Sequence, residues 1–126
     1  MAQTIAGITD EMKKLIEDNA LALATTDSDG NPHCIAVGDV KVVSKNQILI
    51  GDNYMAETVM NINANKSVAL VSWCREWEKD CVGYELKGTA EYFKEGKWLE
   101  QVKSIHKGFP AKGAILVTIS KVKRLA

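Results

Sequence analysis

Six short strand-like runs, each bounded by turn residues, limit the fold of this chain more than any other feature. The runs are Leu21–Thr26, His33–Val43, Gln47–Gly51, Val68–Trp73, Tyr84–Tyr92 and Ala114–Ile119. Apolar and polar residues alternate along Tyr84–Tyr92, as in a strand with one buried face. Tight turns join most neighbouring runs and favour antiparallel pairing. The sequence therefore predicts a mainly β, α+β fold: a small six-stranded antiparallel barrel without exposed edges.

Short helices are predicted to cap this barrel. Their ranges are residues 9–19, 56–64 and 94–107. Thr9 is a suitable N-cap for the first helix. In the second helix the apolar spacing places Val59 and Ile62 on the buried side, with Met60 as a further candidate.

Length and charge bound the class of protein. The 126 residues predict one domain, and the 46% hydrophobic content is ordinary for a globular chain. Sixteen basic and sixteen acidic residues cancel, so no basic surplus predicts nucleic-acid binding, and little charge repulsion opposes self-association. No apolar run approaches the ~20 residues that span a bilayer. The amino terminus does not resemble a signal peptide, so a cytoplasmic protein without a membrane partner is expected.

Few residues suggest catalysis. Cys34, Cys74 and Cys81 match no metal-binding or redox spacing, and their odd number favours free thiols in a reducing compartment. The familiar hydrolase and nucleotide motifs are absent. The chain has two histidines, His33 and His106, and we interpret both as surface or helix-terminal residues. No metal site is predicted, and redox chemistry would have to come from a bound cofactor.

The stretch 48–62 joins an apolar strand to a helix through a Gly-Asp-Asn turn. A helix start offers free backbone N–H groups at the positive end of the helix dipole, and Thr58 adds a hydroxyl. These groups suit a phosphate. The alternative is a plain connector in which the Thr58 hydroxyl bonds the local backbone. The Glu57 carboxylate favours that alternative unless it points away.

The order of these motifs resembles a known family. A capping helix precedes Leu23-Ala24-Thr25-Thr26 and the turn Asp29-Gly30-Asn31-Pro32-His33; Asn53–Thr58 and Gly83–Ala90 follow, before a helix and a final apolar strand. Over residues 8–122 this arrangement is similar to the FMN-binding split β-barrel proteins related to pyridoxamine 5'-phosphate oxidase, particularly the small stand-alone members. The resemblance implies a six-stranded split barrel that dimerises, with an FMN site in each groove between the subunits.

The same resemblance implies the site residues. The FMN phosphate is expected at the turn into the second helix, on Asn53, Tyr54, Met55, Ala56, Glu57 and Thr58. The isoalloxazine ring is expected along Ala36, Val37 and Gly38. Phe109–Lys112 is expected to cover the flavin of the partner subunit.

One departure from the family pattern bears on ligand and function. Related proteins carry a basic residue at the helix entry, whereas this chain has Ala56-Glu57-Thr58. Lys112 is a candidate substitute cation, and vitamin B6 oxidation is not expected. The favoured interpretation is a small FMN-dependent redox protein with an unknown donor and acceptor. Two alternatives stay open: a split barrel that binds a deazaflavin or haem, and a dimeric interaction protein without a cofactor.

Overall fold

The computed structural model describes residues 3–5, 7–105, 108 and 111–125. Within these residues the chain forms eight strands and three helices. The strands are β1 (Gln3–Ile5), β2 (Leu21–Thr26), β3 (Pro32–Val37), β4 (Val40–Ser44), β5 (Gln47–Asp52), β6 (Ser67–Trp73), β7 (Gly83–Phe93) and β8 (Gly113–Arg124). The helices are α1 (Asp10–Asp18), α2 (Ala56–Ala64) and α3 (Lys97–Ile105).

The strands form one antiparallel sheet in the order β3-β2-β6-β7-β8-β5-β4, and β1 pairs with the far end of β8. Only Gly38 and Asp39 separate β3 from β4, although these strands lie at opposite ends of that order. A two-residue link between the two ends requires the sheet to curl round on itself. The predicted α+β split-barrel fold is confirmed.

The strand count differs from the predicted six because the run His33–Val43 is two strands. As far as Val37 the run pairs with β2, whereas from Val40 it pairs with β5. The change of partner occurs at Asp39, whose carbonyl oxygen accepts a hydrogen bond from the Gly51 N–H at 3.0 Å. The barrel is split where the chain passes from one sheet edge to the other. The short strand β1 is a further addition.

The core lies inside the curl of the sheet. Its fully buried side chains include Leu23, Leu70, Leu86, Ile50, Ile115 and Val117. Helix α1 adds Met12 and Ile16, each 1% exposed. A second, smaller cluster forms where Leu99 and Val102 of α3 pack with Leu49, Ala114 and Leu116. Burial of apolar surface on both faces of β5 and β8 stabilises the strands from which the candidate site extends.

Helix α1 begins and is anchored by side-chain hydrogen bonds. The Thr9 hydroxyl accepts from the Met12 N–H at 3.2 Å, which confirms the predicted N-cap. Further along the helix, Glu17 Oε2 accepts from the Val42 N–H of β4 at 2.8 Å. The helix is therefore held to the edge strand by a directional bond as well as by its apolar face.

The turn between β2 and β3 is organised by one carboxylate. Asp27 Oδ1 accepts from the backbone N–H groups of Asp29 and Asn31 at 2.9 and 2.8 Å. Gly30 has φ +87°, a conformation that costs glycine little and other residues more. The hydrogen bonds from Asn31 hold the pKa of the Asp27 carboxyl below its usual value of 3.8. This turn is local, since all its bonds join residues within four positions.

Candidate functional site

Helix α2 meets the sheet with a polar face. The polar stripe is defined here as three side chains spaced four residues apart: Glu57 and Asn61 of α2, and Asn65, the C-cap residue that follows it. Residues at this spacing lie on the same side of a helix. Within the described part of the chain, each of the three bonds a side chain of the β2–β3 hairpin. Directional bonds therefore place α2 on the sheet.

The partners of the polar stripe are neighbours in the sheet. Asn61 Nδ2 donates to the buried Thr25 hydroxyl at 3.0 Å, and Asn65 Nδ2 donates to the Thr26 hydroxyl at 2.7 Å. His33, which is directly opposite Thr25 across the β2–β3 ladder, has its Nδ1 3.1 Å from a carboxylate oxygen of Glu57. The pairing fixes the rotation of α2 about its own axis.

This packing corrects part of the sequence prediction for α2. Its bounds are as predicted and Ile62 is buried, but the other buried residues are Thr58 and Asn61. Val59 is only half-buried, and Met60 is 69% exposed. Apolar spacing misplaces part of the inner face of this helix because the amides of Asn61 and Asn65 bond hydroxyls of the sheet alongside the buried Ile62.

Asp52 organises the turn from β5 into α2. The residue is 1% exposed. Its Oδ1 accepts from the Met55 N–H at 3.1 Å, and its Oδ2 accepts from the Tyr92 hydroxyl of β7 at 2.6 Å. Its backbone oxygen accepts from the Lys112 N–H at 3.0 Å. Bonds from three separate parts of the chain therefore meet at the residue where β5 ends.

The Tyr92 hydroxyl reaches Asp52 across a glycine. Gly113 is opposite Asp52 in the β5–β8 ladder, and a Cβ built on Gly113 would lie 2.2 Å from the Tyr92 oxygen. Any larger residue at 113 would occupy the position of the phenol. Burial, together with the bond to Asp52, raises the pKa of Tyr92 to about 12. The phenol is thus held in its neutral, hydrogen-donating form.

The start of α2 has the groups that an anion requires. The N-cap residue, Met55, makes no side-chain capping bond, so the N–H groups of the first turn lack the partner that an N-cap side chain ordinarily provides. Thr58, in this turn, is 1% exposed, and its Oγ1 has no hydrogen-bond partner among the described residues. A buried hydroxyl without a partner is unfavourable unless a ligand or water supplies one. These groups fit a phosphate at the positive end of the helix.

An open cavity of about 420 Å³ lies next to this turn. Its walls are the end of β3 and the residues that lead into α2: Ile35, Ala36, Val37, Gly38, Asp39, Asn53, Tyr54 and Met55. Asn53 Nδ2 donates to Asp39 Oδ2 at 3.2 Å, while the buried Asn53 Oδ1 has no partner among the described residues. The volume and the mixed lining are typical of a small-molecule site.

The structure brings together most of the residues predicted for a cofactor. Six of them line the cavity: Ala36, Val37, Gly38, Asn53, Tyr54 and Met55. Ala56, Glu57 and Thr58 continue from it into the first turn of α2. Lys112 joins the turn through its backbone, and its side chain is exposed. His106, Phe109 and Pro110 lie outside the described residues, so of the predicted cover of the partner's flavin only Ala111 and Lys112 have a described structure.

Other groups considered in the sequence are separate from this cavity. Cys34, Cys74 and Cys81 are free, and two of the three are exposed. Two further aromatic side chains, Trp73 and Trp77, are 42% and 59% exposed, and neither lines the cavity. In the described ranges, no three His, Cys, Asp or Glu side chains are grouped to hold a metal ion. None of the described helices has the length and apolarity needed to cross a membrane.

Comparison with known proteins extends over nearly the whole chain. The family model of pyridoxamine 5'-phosphate oxidase matches residues 8–126. The uncharacterized protein MJ0282 of Methanocaldococcus jannaschii is 34% identical over 129 residues, which cover 97% of this chain and 83% of that protein.

Solved structures share the fold. HupZ of Group A Streptococcus matches with a TM-score of 0.84 and 26% identity over 91% of each chain. An FMN-binding protein from Syntrophomonas wolfei matches with a TM-score of 0.80 and 16% identity, over 90% of this chain and 83% of that one. A chain named F420 reductase matches with a TM-score of 0.70 and 19% identity, over 91% and 98%. The split barrel, its order of elements and the family match together show that this chain belongs to the pyridoxamine 5'-phosphate oxidase family.

Proposed function

We propose that this chain binds FMN without a covalent bond and acts as a small redox flavoprotein. The observation that carries the proposal is the buried Thr58 hydroxyl, which lacks a partner in the described structure and lies at the uncapped start of α2. The cavity lined by Asn53, Tyr54 and Met55, which lead into α2, has room for part of a flat ring. The family match and an FMN-binding protein of the same fold supply the cofactor class.

The phosphate end would be held by the first turn of α2. Backbone N–H groups and the Thr58 hydroxyl would donate to the phosphate oxygens, and the helix dipole would favour the negative charge. The Glu57 carboxylate lies 3.1 Å from Nδ1 of His33 on β3, so it is held toward the β2–β3 hairpin. Lys112, which directly precedes β8, is the candidate cation, since its backbone N–H is bonded to the Asp52 carbonyl beside the turn.

The ring end would lie against the end of β3. Ala36 and Gly38 are exposed and small, so a planar heterocycle can approach the backbone closely there. A bound flavin supplies hydride or electron transfer, and the protein binds and orients it. We propose an unidentified reduced donor and an unidentified acceptor. No vitamin B6 oxidase activity is proposed.

A homodimer with two sites is part of the proposal. In one copy the cavity is open, and Tyr54 at its edge is 86% exposed, so a second copy could cover the ring. Symmetric pairs are the commonest assembly of small proteins. We place the protein in the cytoplasm on the basis of its odd number of cysteines. Light scattering at micromolar concentration should give twice the chain mass, and a monomeric mass would contradict the dimer.

The cofactor is tested by the absorption spectrum of the purified protein and by titration with FMN and riboflavin, which share the ring but not the phosphate. Removing the hydroxyl with Thr58→Val should weaken FMN binding about tenfold, because one bond to a charged group is lost. Riboflavin binding should change little. Ser72→Ala is the matched control, since Ser72 also has a buried hydroxyl without a described partner, but on β6.

The same titration separates the alternatives. A protein that takes up no FMN would overturn the proposal. Uptake of F420 in preference to FMN would favour the deazaflavin alternative. A Soret band on addition of haem would favour that ligand, and no uptake of any of the three would favour an interaction protein without a cofactor.

A further inference from the structure

Asp52 is a buried carboxylate next to the proposed phosphate site, where its own negative charge would repel a phosphate. It ends β5, and the turn that follows leads directly into α2. The two carboxylate oxygens accept from different elements, Oδ1 from the Met55 N–H and Oδ2 from the Tyr92 hydroxyl. Both oxygens therefore have donors within the protein, and those bonds offset the cost of burying the charge.

The bond to Met55 sets the path of the turn. Met55 is the N-cap residue of α2, so its position determines where the first turn of the helix begins. Its own side chain makes no capping bond. The Asp52 carboxylate thus supplies, from three residues upstream, the order that a capping side chain would ordinarily give.

The bond to Tyr92 fixes the carboxylate in turn. At 2.6 Å it is a short bond to an ionised acceptor, and Tyr92 comes from β7, which packs beside β8. Gly113 of β8 leaves the space through which the phenol passes. The position of the start of α2 therefore depends on β7 and β8. Among the described residues, neither strand lines the cavity.

We infer that Asp52 and Tyr92 are positioning residues for phosphate recognition: Asp52 orders the turn that presents the first-turn N–H groups and Thr58, and Tyr92 holds the Asp52 carboxylate in place. The inference rests on the proposed FMN site. Neither residue needs to touch the ligand.

The test compares Asp52→Ala with Asp52→Asn. Alanine removes both bonds of the carboxylate. Asparagine keeps them, because its amide oxygen can accept from Met55 and its amide N–H can donate to the tyrosine oxygen. Asp52→Ala should weaken FMN binding at least tenfold and riboflavin binding less than about twofold. Asp52→Asn should keep the wild-type preference for FMN over riboflavin.

Tyr92→Phe provides a second variant if Asp52→Ala does not fold. It should lower the FMN preference in the same direction, and Asp27→Ala, in the other carboxylate-organised turn, should leave it unchanged. Parallel losses of FMN and riboflavin in Asp52→Ala or Tyr92→Phe would overturn the inference, because a general loss of structure does not distinguish the two ligands. Wild-type preference in Asp52→Ala would also overturn it.

Amide hydrogen exchange of residues 53–58 without any ligand keeps the test separate from the proposed function. Faster exchange in Asp52→Ala, reversed in Asp52→Asn, is the expected result, and unchanged exchange would overturn the positioning role. If the wild-type protein binds no FMN, the proposed function fails. The exchange data then still decide whether Asp52 orders the turn.

Discussion

Two turns of this protein are organised by an aspartate, and they differ in where the support comes from. Asp27 bonds the N–H groups of Asp29 and Asn31 within its own exposed turn. Asp52 bonds Met55 within its turn, but it also bonds Tyr92, forty residues away in sequence. The first turn connects two strands, whereas the second leads into the candidate phosphate site.

The difference shows how burial changes the role of the same side chain. At Asp27, local N–H donors lower the pKa of the carboxyl and water is available for its remaining acceptors. At Asp52, which is 1% exposed, each oxygen needs a donor from the protein. A turn that is hydrogen-bonded to a residue far away in sequence has a defined position relative to the barrel. It is also more sensitive to changes elsewhere.

The largest effect is expected from Gly113→Ala. The added Cβ would lie 2.2 Å from the Tyr92 oxygen, so the phenol must leave Asp52. The free energy of unfolding should fall by about 2 kcal/mol, as for overpacking in a core. Urea denaturation measures it.

The matched change at the other turn is Gly30→Ala. Gly30 has open space around its Cα, so only its φ of +87° opposes the alanine. A loss of about 1 kcal/mol is expected from backbone strain alone. Equal losses in the two variants would contradict a special role for the space at Gly113.

Alkaline pH should break the hydrogen bond that the Tyr92 hydroxyl donates to Asp52. The pKa of Tyr92 is raised from 10.0 to about 12, so the folded protein keeps a proton that the unfolded chain loses. Stability from this group is fully present below pH 10 and is lost as the pH rises toward 12. Because Tyr92 is only half-buried, the expected loss is about 1 kcal/mol. Urea midpoints at about pH 9 and about pH 11.5 measure it.

Tyr92→Phe is the control for that titration. The variant should be less stable at neutral pH, because Asp52 loses a donor, and it should lack the decline between pH 10 and 12. A decline of the same size in the variant would assign the alkaline effect to another group.

The smallest effect is expected at Asp27. Its pKa is lowered from 3.8, chiefly by the Asn31 N–H, so its contribution to stability is present above pH 3.8 and is lost as the pH falls below that value. Asp27→Asn should remove this part of the acid dependence and leave ligand preference unchanged. Thermal unfolding at neutral and acid pH provides the measurement. A large loss at neutral pH would show that this turn, too, depends on distant contacts.

The local turn is also the one that the sequence predicts. Asp27, Gly30 and Pro32 indicate a turn from neighbouring residues alone, and the alternation of Tyr84–Tyr92 indicates a strand in the same way. The predicted run His33–Val43 misses its division at Gly38 and Asp39 because both halves have strand character. The change of partner depends on the curl of the sheet, which is not a local property.

For the candidate site, the sequence predicts the two segments but not their support. Ala36–Gly38 and Asn53–Thr58 come from the family resemblance, and the cavity unites most of them. The predicted Gly-Asp-Asn turn contains Asp52, but no local pattern indicates that this residue organises the turn or that Tyr92 reaches it. Likewise, hydrophobic spacing at Met60 could not reveal a helix that faces the sheet with amides.

The polar stripe specifies one position of α2 along its own axis. Apolar contacts alone are not directional, so they specify the position of a helix along its axis less strictly than hydrogen bonds do. If α2 slipped along its axis by one turn, about 5.4 Å, two of the three stripe residues would meet a neighbour's partner and the third would meet none, so at least one of the three bonds to the β2–β3 hairpin would be lost. The bonds of Asn61 and Asn65 to Thr25 and Thr26 therefore fix the register of α2 against the β2–β3 hairpin. That register determines where the amino end of α2 lies relative to the cavity.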